Sequence, residues 1–292
     1  MLLSIPLSAR YMIMSALGFA LMGVFVRIAY GQGIPVLEIV AARALISAFI
    51  SYADIKRKNI SPWGQRKDLL IARGAAGAIA LIFVYTALAA LPFAEATVLQ
   101  YLHPLFTALL AVIFLREYLQ KNTLICILLS VIGLLIIVRP SFLFSGLAGD
   151  YPSWAVAAAI AGAFGSAVAY VLVRKLNATE DSSVIIFYFP IMALPLSLLM
   201  LGDNIVMPQG WAWLSLLLVG IATQVGQVGL TKAMQTASAS KATSFSYLQI
   251  IFAMVLGIIF FDEIPTLWTI TGAVFIMLGV VINAWPSSHK SA

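Results

Sequence analysis

The sequence has 292 residues, of which 62% are hydrophobic and only 10% charged, with a mean hydropathy of +1.04. Soluble domains carry about 25% charged residues, so this chain lacks the polar surface that a water-soluble fold requires and belongs in a bilayer. The net charge of +6 is spread over the ends of apolar runs, with one dense stretch, KRKNISPWGQRK (56–67); no nucleic-acid-binding module is recognisable, and no nucleic-acid partner is expected.

A helix needs roughly 20 apolar residues to cross a hydrocarbon core. The first such run, 11–30, is longer than the apolar region of a cleaved signal and reads as a retained span. Nine more follow in chain order, at 35–55, 69–90, 93–115, 122–138, 153–173, 183–201, 211–233, 239–260 and 266–285. The runs are continuous rather than alternating, which favours helices over barrel strands. The fold expected is all-α, a polytopic membrane protein of ten transmembrane helices.

Orientation follows from Lys and Arg at the span ends. With the N-terminus in the cytoplasm, fourteen fall inside: Arg10, Lys56, Arg57, Lys58, Arg66, Lys67, Arg73, Arg116, Lys121, Arg174, Lys175, Lys232, Lys241 and Lys290. Arg27 and Arg139 fall outside, and Arg43 falls within span 2. Both termini are therefore expected in the cytoplasm, in a multi-pass protein of the inner membrane.

The chain also repeats itself. ATVLQYLHPLFTALLAVIFLRE (96–117) aligns without gaps on ATSFSYLQIIFAMVLGIIFFDE (242–263), an offset of 146 residues. Gly133 and Gly279 share that offset, and GFALMGVFVR (18–27) lies over GSAVAYVLVR (165–174) at 147. Two five-span halves result, 1–146 and 147–292. An odd span number makes the second copy enter upside down, as in the inverted repeats of many secondary transporters. The charges agree: Arg116-Glu117 inside become Asp262-Glu263 outside.

YTALAALPFAEATVLQYLHPLFTALLAVIFLREYL, with its echo over LTKAMQTASASKATSFSYLQIIFAMVLGIIFFDEIPTLWTITGAVFIMLGVVI, resembles the EamA-type transporters of the drug/metabolite transporter superfamily. The resemblance covers almost the whole chain, once per half, and is nearly silent on substrate. It implies a central cavity lined by spans 1–4 and 6–9, with spans 5 and 10 supporting the bundle or forming a homodimer. Ile250 stands where Pro104 would be matched, so a proline kink is not expected in span 9.

Polar residues inside the spans are candidates for the site. Thr97, Gln100, His103 and Thr107 form one helical stripe, Thr243, Ser246 and Gln249 its counterpart, and Gln224, Gln227 and Thr231 a third. Such stripes face either a wet cavity or a neighbouring helix as hydrogen-bonding glue. The candidate substrate-binding residues are His103, Gln100, Tyr101, Tyr85, Gln224, Gln227, Tyr247, Gln249, Tyr170 and Arg43, with Phe19 as a further wall. Arg43, costing roughly 2.5–3.5 kcal/mol at mid-span, either holds an anionic group or pairs with Glu38 or Glu95.

The function expected is a secondary transporter moving a small organic solute, such as an amino acid, metabolite or drug. It works by alternating access, with export favoured by analogy. Proton coupling through His103 is an open expectation against facilitated diffusion. No phosphate loop or zinc-hydrolase motif is present, one cysteine offers no metal set, and neither an enzymatic activity nor a cofactor is expected. A lipid-modifying membrane enzyme and a non-transporting scaffold or sensor are the competing readings.

Overall fold

A computed structural model describes residues 6–91, 93–139 and 152–285, apart from the side chains of 85, 88, 89 and 93–95. Tyr85, Glu95 and Lys290, read above from sequence, lie outside the described side chains or residues. The elements are α1 (Leu7–Gly31), α2 (Val36–Arg57), α3 (Lys67–Ala90), α4 (Phe93–Gln100), α5 (His103–Leu115) and α6 (Lys121–Val138). They continue with α7 (Ser153–Leu176), α8 (Ser182–Leu201), α9 (Trp211–Thr236), α10 (Ala239–Ser244), a 3-10 turn (Phe245–Tyr247), α11 (Leu248–Phe261) and α12 (Leu267–Ala284).

Among the described residues there is no strand. Nine of the helical stretches there are long and apolar enough to cross a bilayer, and the 24-residue α3 has the length for a tenth passage. These passages match the ten runs read from sequence, with α4 and α5 forming span 4 and α10, the turn and α11 forming span 9. Starts are set locally. Pro6, Pro35 and Pro152 precede α1, α2 and α7, where a fixed φ and a missing donor do no harm. Asp181, Ser238 and Thr266 cap α8, α10 and α12 by accepting a backbone N–H.

Two spans are broken near mid-depth. Span 4 is interrupted at Tyr101-Leu102, just before Pro104, which has no N–H to offer the Gln100 carbonyl. Span 9 is interrupted too, by the turn at Phe245–Tyr247, although it has no proline. The break that Pro104 makes in span 4 is therefore matched in span 9 without the proline that Ile250 replaces. Hydroxyls take the proline's place: Thr243 Oγ1 donates to the Ala239 carbonyl at 2.8 Å and Ser244 Oγ to the Lys241 carbonyl at 2.9 Å. Asn283 Nδ2 reaches the Ser244 hydroxyl at 2.7 Å, and back-bonding of this kind bends helices.

Spans 4 and 9 also end alike. Arg116 and Asp262 take left-handed conformations, φ 52° and 53°, and the next N–H folds back six residues: Glu117 to the Ala111 carbonyl at 3.1 Å, Glu263 to the Gly257 carbonyl at 3.2 Å. The left-handed residue stops the helix, and the returning N–H satisfies one of its last carbonyls.

Span 1 packs on span 8, and span 6 on span 3. Span 2 packs on span 7 and span 5 on span 10, and spans 1 and 6 also touch spans 9 and 4, respectively. Small residues permit these approaches. A Cβ on Gly18 would meet the Gly226 backbone N at 2.7 Å, and one on Gly133 would meet Ile276 Cγ1 at 2.9 Å. Gly23, by contrast, faces open space. Large apolar side chains such as Phe49, Phe114, Leu199 and Ile259 point outward, as lipid-facing residues do, and all six tryptophans are exposed near helix ends.

Candidate functional site

Eight spans surround a central cavity of about 360 Å³, within the roughly 300–1,000 Å³ range of small-molecule sites. Spans 1 and 2 contribute Phe19, Met22 and Arg43; span 3 contributes Arg73, Gly77, Leu81 and Val84; span 4 contributes Gln100, Tyr101 and His103. Spans 6 to 9 add Ser166, Ala169, Tyr170, Phe189, Gln227 and Gln249. Spans 5 and 10 supply none. A larger cleft of about 450 Å³ opens between spans 4, 5, 9 and 10, but its wall is almost wholly aliphatic. Its carboxylate, Glu263, is already paired with Arg27. The polar chemistry lies in the smaller cavity.

The structure brings seven of the ten candidates together there: His103, Gln100, Tyr101, Gln227, Gln249, Tyr170 and Arg43. Tyr85 is not among the described side chains. Gln224 and Tyr247 are absent from the lining, for structural reasons. Gln224 accepts from Ser47 Oγ at 2.5 Å and donates to Ser51 Oγ at 2.9 Å, tying span 8 to span 2. Tyr247 is fully buried behind Tyr101, its ring stacked at 6.0 Å. Its hydroxyl donates at 3.0 Å to the Tyr101 carbonyl at the break in span 4. Both residues build the wall and do not face the space.

Sequence reasoning placed Arg73 at the membrane interface; it is 3% exposed and lines the cavity. It lies six residues inside α3 on the face turned to the bundle, so its side chain runs inward instead of snorkelling out. Its depth in an apolar run, comparable to that of Arg43, was the available signal. Phe189 was also missed. Arg73 Cζ lies 5.1 Å and Arg43 Cζ 5.8 Å from the centre of its ring.

Neither arginine meets a carboxylate among the described residues. Arg43 Nη1 approaches Met22 Sδ at 3.4 Å, and Arg73 Nη2 donates to Gln227 Oε1 at 3.3 Å. Glu38, the partner considered for Arg43, instead accepts the Val206 N–H at 2.9 Å. Arg43 Nε and Arg73 Nε and Nη1 are buried without a partner, as are Gln100 Oε1 and His103 Nδ1. Gln100 Nε2 donates to Ser166 Oγ at 3.4 Å, and the His103 ring meets Tyr170 edge-on at 5.3 Å.

Many lining residues fall in pairs. Arg43 and Phe189, Leu81 and Gln227, and His103 and Gln249 are each 146 residues apart; Phe19 and Ser166, and Met22 and Ala169, are 147 apart. Tyr101 and Tyr247, also 146 apart, touch each other.

Two ion pairs close the ends of the bundle, each joining one half to the other. On the face that carries the N-terminus of α1, Arg174 Nε donates to Glu117 Oε1 at 2.9 Å. There Glu117 Oε2 also accepts the Ala239 N–H at 2.8 Å, and Arg174 Nη1 reaches the Met234 carbonyl at 2.6 Å. On the opposite face Arg27 pairs with Glu263 and lies 4.1 Å over the Phe261 ring. The two pairs correspond at the repeat offsets, 147 for the arginines and 146 for the glutamates. They differ in burial: the Arg174 and Glu117 side chains are 31% and 13% exposed, those of Arg27 and Glu263 57% and 53%.

The model of the EamA-like transporter family matches the chain twice, over residues 7–139 and 153–285. Solute carrier family 35 member G1 of Mus musculus is 32% identical, over 96% of this chain and 79% of its own length. Pseudopaline exporter CntI of Pseudomonas aeruginosa is 30% identical, over 92% of this chain and 93% of its own. A solved crystal structure, 19% identical, superposes with a TM-score of 0.78 over 92% of this chain and 95% of that one. With a helical bundle of membrane-spanning length around a polar cavity, and a family match in each half, the chain belongs to the EamA-like transporters of the drug/metabolite transporter superfamily.

Proposed function

We propose that the protein is a secondary transporter, not an enzyme, that carries a small organic solute through the central cavity by alternating access between two inverted halves. The observation that carries this reading is a cavity lined by repeat-related residues, with repeat mates Tyr101 and Tyr247 in contact where the broken turns of spans 4 and 9 meet. Mates that touch lie on the axis relating the halves. Five-span halves, 1–146 and 147–292, then run in opposite senses, and the discontinuous helices sit where inverted-repeat transporters bind their substrates.

The two ion pairs support alternating access. They are equivalent latches on opposite faces, and exchanging the conformations of the two halves would exchange their environments. In this conformation the latch on the N-terminal face is more buried and has more hydrogen bonds, so that face is the more firmly closed. The excess of Lys and Arg on that side supports placing both termini in the cytoplasm, of the inner membrane in a bacterium. Export is favoured, as the name of the relative CntI states for that protein.

His103 is taken as a neutral hydrogen-bonding group, because two guanidiniums share its cavity and a third positive charge there would be costly. Proton coupling through it is therefore the weaker alternative to uncoupled transport. Spans 5 and 10 pack on each other within the chain, so a homodimer through them would use their outward faces.

The test is solute exchange into proteoliposomes from a cell extract, read by mass spectrometry of the vesicle contents. Ala169→Trp, which fills the cavity, is expected to abolish the exchange. Exchange that survives this substitution, or none beyond that of empty vesicles, would defeat the proposal.

A further inference from the structure

We propose that the solute is an organic dianion, its two negative charges taken by Arg43 and Arg73 beside Phe189. This rests on the cavity being the transport site, and it names the class of solute that the site accepts.

A guanidinium keeps its proton in proteins, so both side chains are charged wherever they sit. Arg73 is 3% exposed, and both line an interior space in whose wall no aspartate or glutamate stands among the described residues. Their contacts are neutral: a thioether, an amide oxygen and the face of one aromatic ring. Three of their nitrogens, Arg43 Nε and Arg73 Nε and Nη1, are buried without an acceptor. A charge left uncompensated in a low-dielectric interior is strongly unfavourable, and here there are two. The missing partner must bring acceptors and negative charge, and carboxylate or phosphate oxygens match the guanidinium fork.

Charge balance sets the number. A monoanion leaves one guanidinium uncompensated, and a cation adds to the repulsion. A dianion neutralises the pair. Elsewhere in the wall the unpartnered groups are Gln100 Oε1 and His103 Nδ1. Gln100 Oε1 accepts a hydrogen bond, and His103 Nδ1 accepts or donates one according to its tautomer, so a hydroxyl or N–H on the solute backbone is accommodated away from the arginines. Met22, Phe19, Leu81 and Val84 cover the carbon skeleton. A bare inorganic ion would leave that apolar wall and most of the 360 Å³ unused.

The extract-exchange experiment tests this with the solute still unidentified: the compounds that cross should carry two negative charges at neutral pH. In parallel, the thermal midpoint of the protein in nanodiscs is followed against succinate, glutarate, a phosphate monoester and inorganic phosphate. Half-amides, diamides and a matched diamine complete the panel. Organic dianions should raise the midpoint saturably. Half-amides should need roughly 10- to 100-fold more ligand, and diamides and the diamine should do nothing. Dicarboxylates and phosphate monoesters are distinguished by which of the two is the tighter.

Arg43→Gln and Arg73→Gln should each weaken dianion binding by a similar factor, with Arg73→Lys intermediate because it keeps the charge and loses the fork. Without solute, Arg73→Gln should melt no lower than the parent, since it removes an unfavourable charge; a merely structural arginine would melt lower. The assignment is overturned if no organic acid binds, if diamides bind as well as acids, or if the glutamine variants bind dianions unchanged. A neutral or cationic solute that crosses, and is blocked by Ala169→Trp, overturns the dianion and leaves the transport reading intact. Absence of any protein-dependent exchange removes both.

Discussion

Glu117→Gln is the substitution that most directly probes the coupling between the two faces. Its carboxylate holds two donors, Arg174 Nε at 2.9 Å and the Ala239 N–H at 2.8 Å, from spans 6 and 9. Hydrogen bonds to a charged group contribute about 1.5–3 kcal/mol each. A glutamine keeps one carbonyl oxygen and must turn its NH2 toward the other donor, so one bond is lost and the other weakened. With Arg174 about a third exposed, solvent screening discounts the sum to about 2 kcal/mol. That corresponds to a shift of about 30-fold in the equilibrium toward a conformation open on the N-terminal face. Glu263→Gln breaks the equivalent but exposed pair, worth about 0.2–1 kcal/mol, and should shift the equilibrium the other way by at most about fivefold. The assay places a cysteine at Ser166 in a Cys126→Ala background and measures its labelling by a membrane-impermeant thiol reagent from each side of oriented vesicles. If both substitutions move the ratio of rates in the same direction, or Glu117→Gln leaves it unchanged, the latches are not the elements that select the conformation.

Other substitutions test parts of the frame. Tyr247→Phe leaves the Tyr101 carbonyl without its donor, and thermal unfolding should report a loss of about 1 kcal/mol, with solute affinity changed little because the hydroxyl does not face the cavity. Gly18→Ala forces a Cβ to 2.7 Å from the Gly226 backbone N, which should cost about 1–3 kcal/mol and lower the yield of folded protein. Asp181 lies between spans 6 and 7. Burial pulls its carboxyl upward, but the Lys58 ammonium at 2.8 Å and the Ser183 N–H hold it below the usual carboxylate range. A depressed folded-state pKa stabilises at neutral pH and loses that contribution as the pH falls through it. Asp181→Asn should therefore lower stability by about 0.5 kcal/mol at pH 7 and by nothing in strong acid. Asp181→Ala also removes the cap of α8 and should cost about 1 kcal/mol more at either pH.

The spans were legible in the sequence because lipid leaves a spanning segment few options: every backbone group must be paired within a helix or a closed barrel. The cavity was partly legible because helical spacing identifies a face. Spacing does not identify what the face meets. Gln224 and Gln227 lie one turn apart in span 8, yet Gln224 reaches Ser47 and Ser51 of span 2, while Gln227 reaches Arg73 across the cavity. The long stem of Arg73 permits both an outward and an inward course, and only the neighbouring helices select one. The latches could have been read. Arg27 and Arg174 are matched by the repeat, as are Glu117 and Glu263, and alternate span directions put each arginine on the same face as the glutamate of the other half. Taken only as one of two basic residues on the outer side, Arg27 does not reveal its partner.

The departures from symmetry carry the chemistry. A two-fold frame explains how one site can face either side in turn, but a perfectly symmetric site would present the same groups from both halves. Here Arg43 has Phe189 as its mate, and the mate is one of the residues it approaches. The position matched to Arg73 is Val219, buried away from the cavity, and His103 is answered by Gln249. Both positive charges therefore belong to the first half, whichever face is open. On the proposed alternating-access reading, the latches trade environments when the halves exchange conformations, while the proposed anion-binding groups stay with the first half. A dianion then meets a different arrangement of the same two arginines in the two states. The difference between its affinities for them sets how far it can shift the equilibrium. Exchanging Arg43 and Phe189 between halves, as Arg43→Phe with Phe189→Arg, should preserve dianion binding while altering the ratio of affinities from the two sides. An unchanged ratio would mean that the frame, and not the placement of charge, controls sidedness.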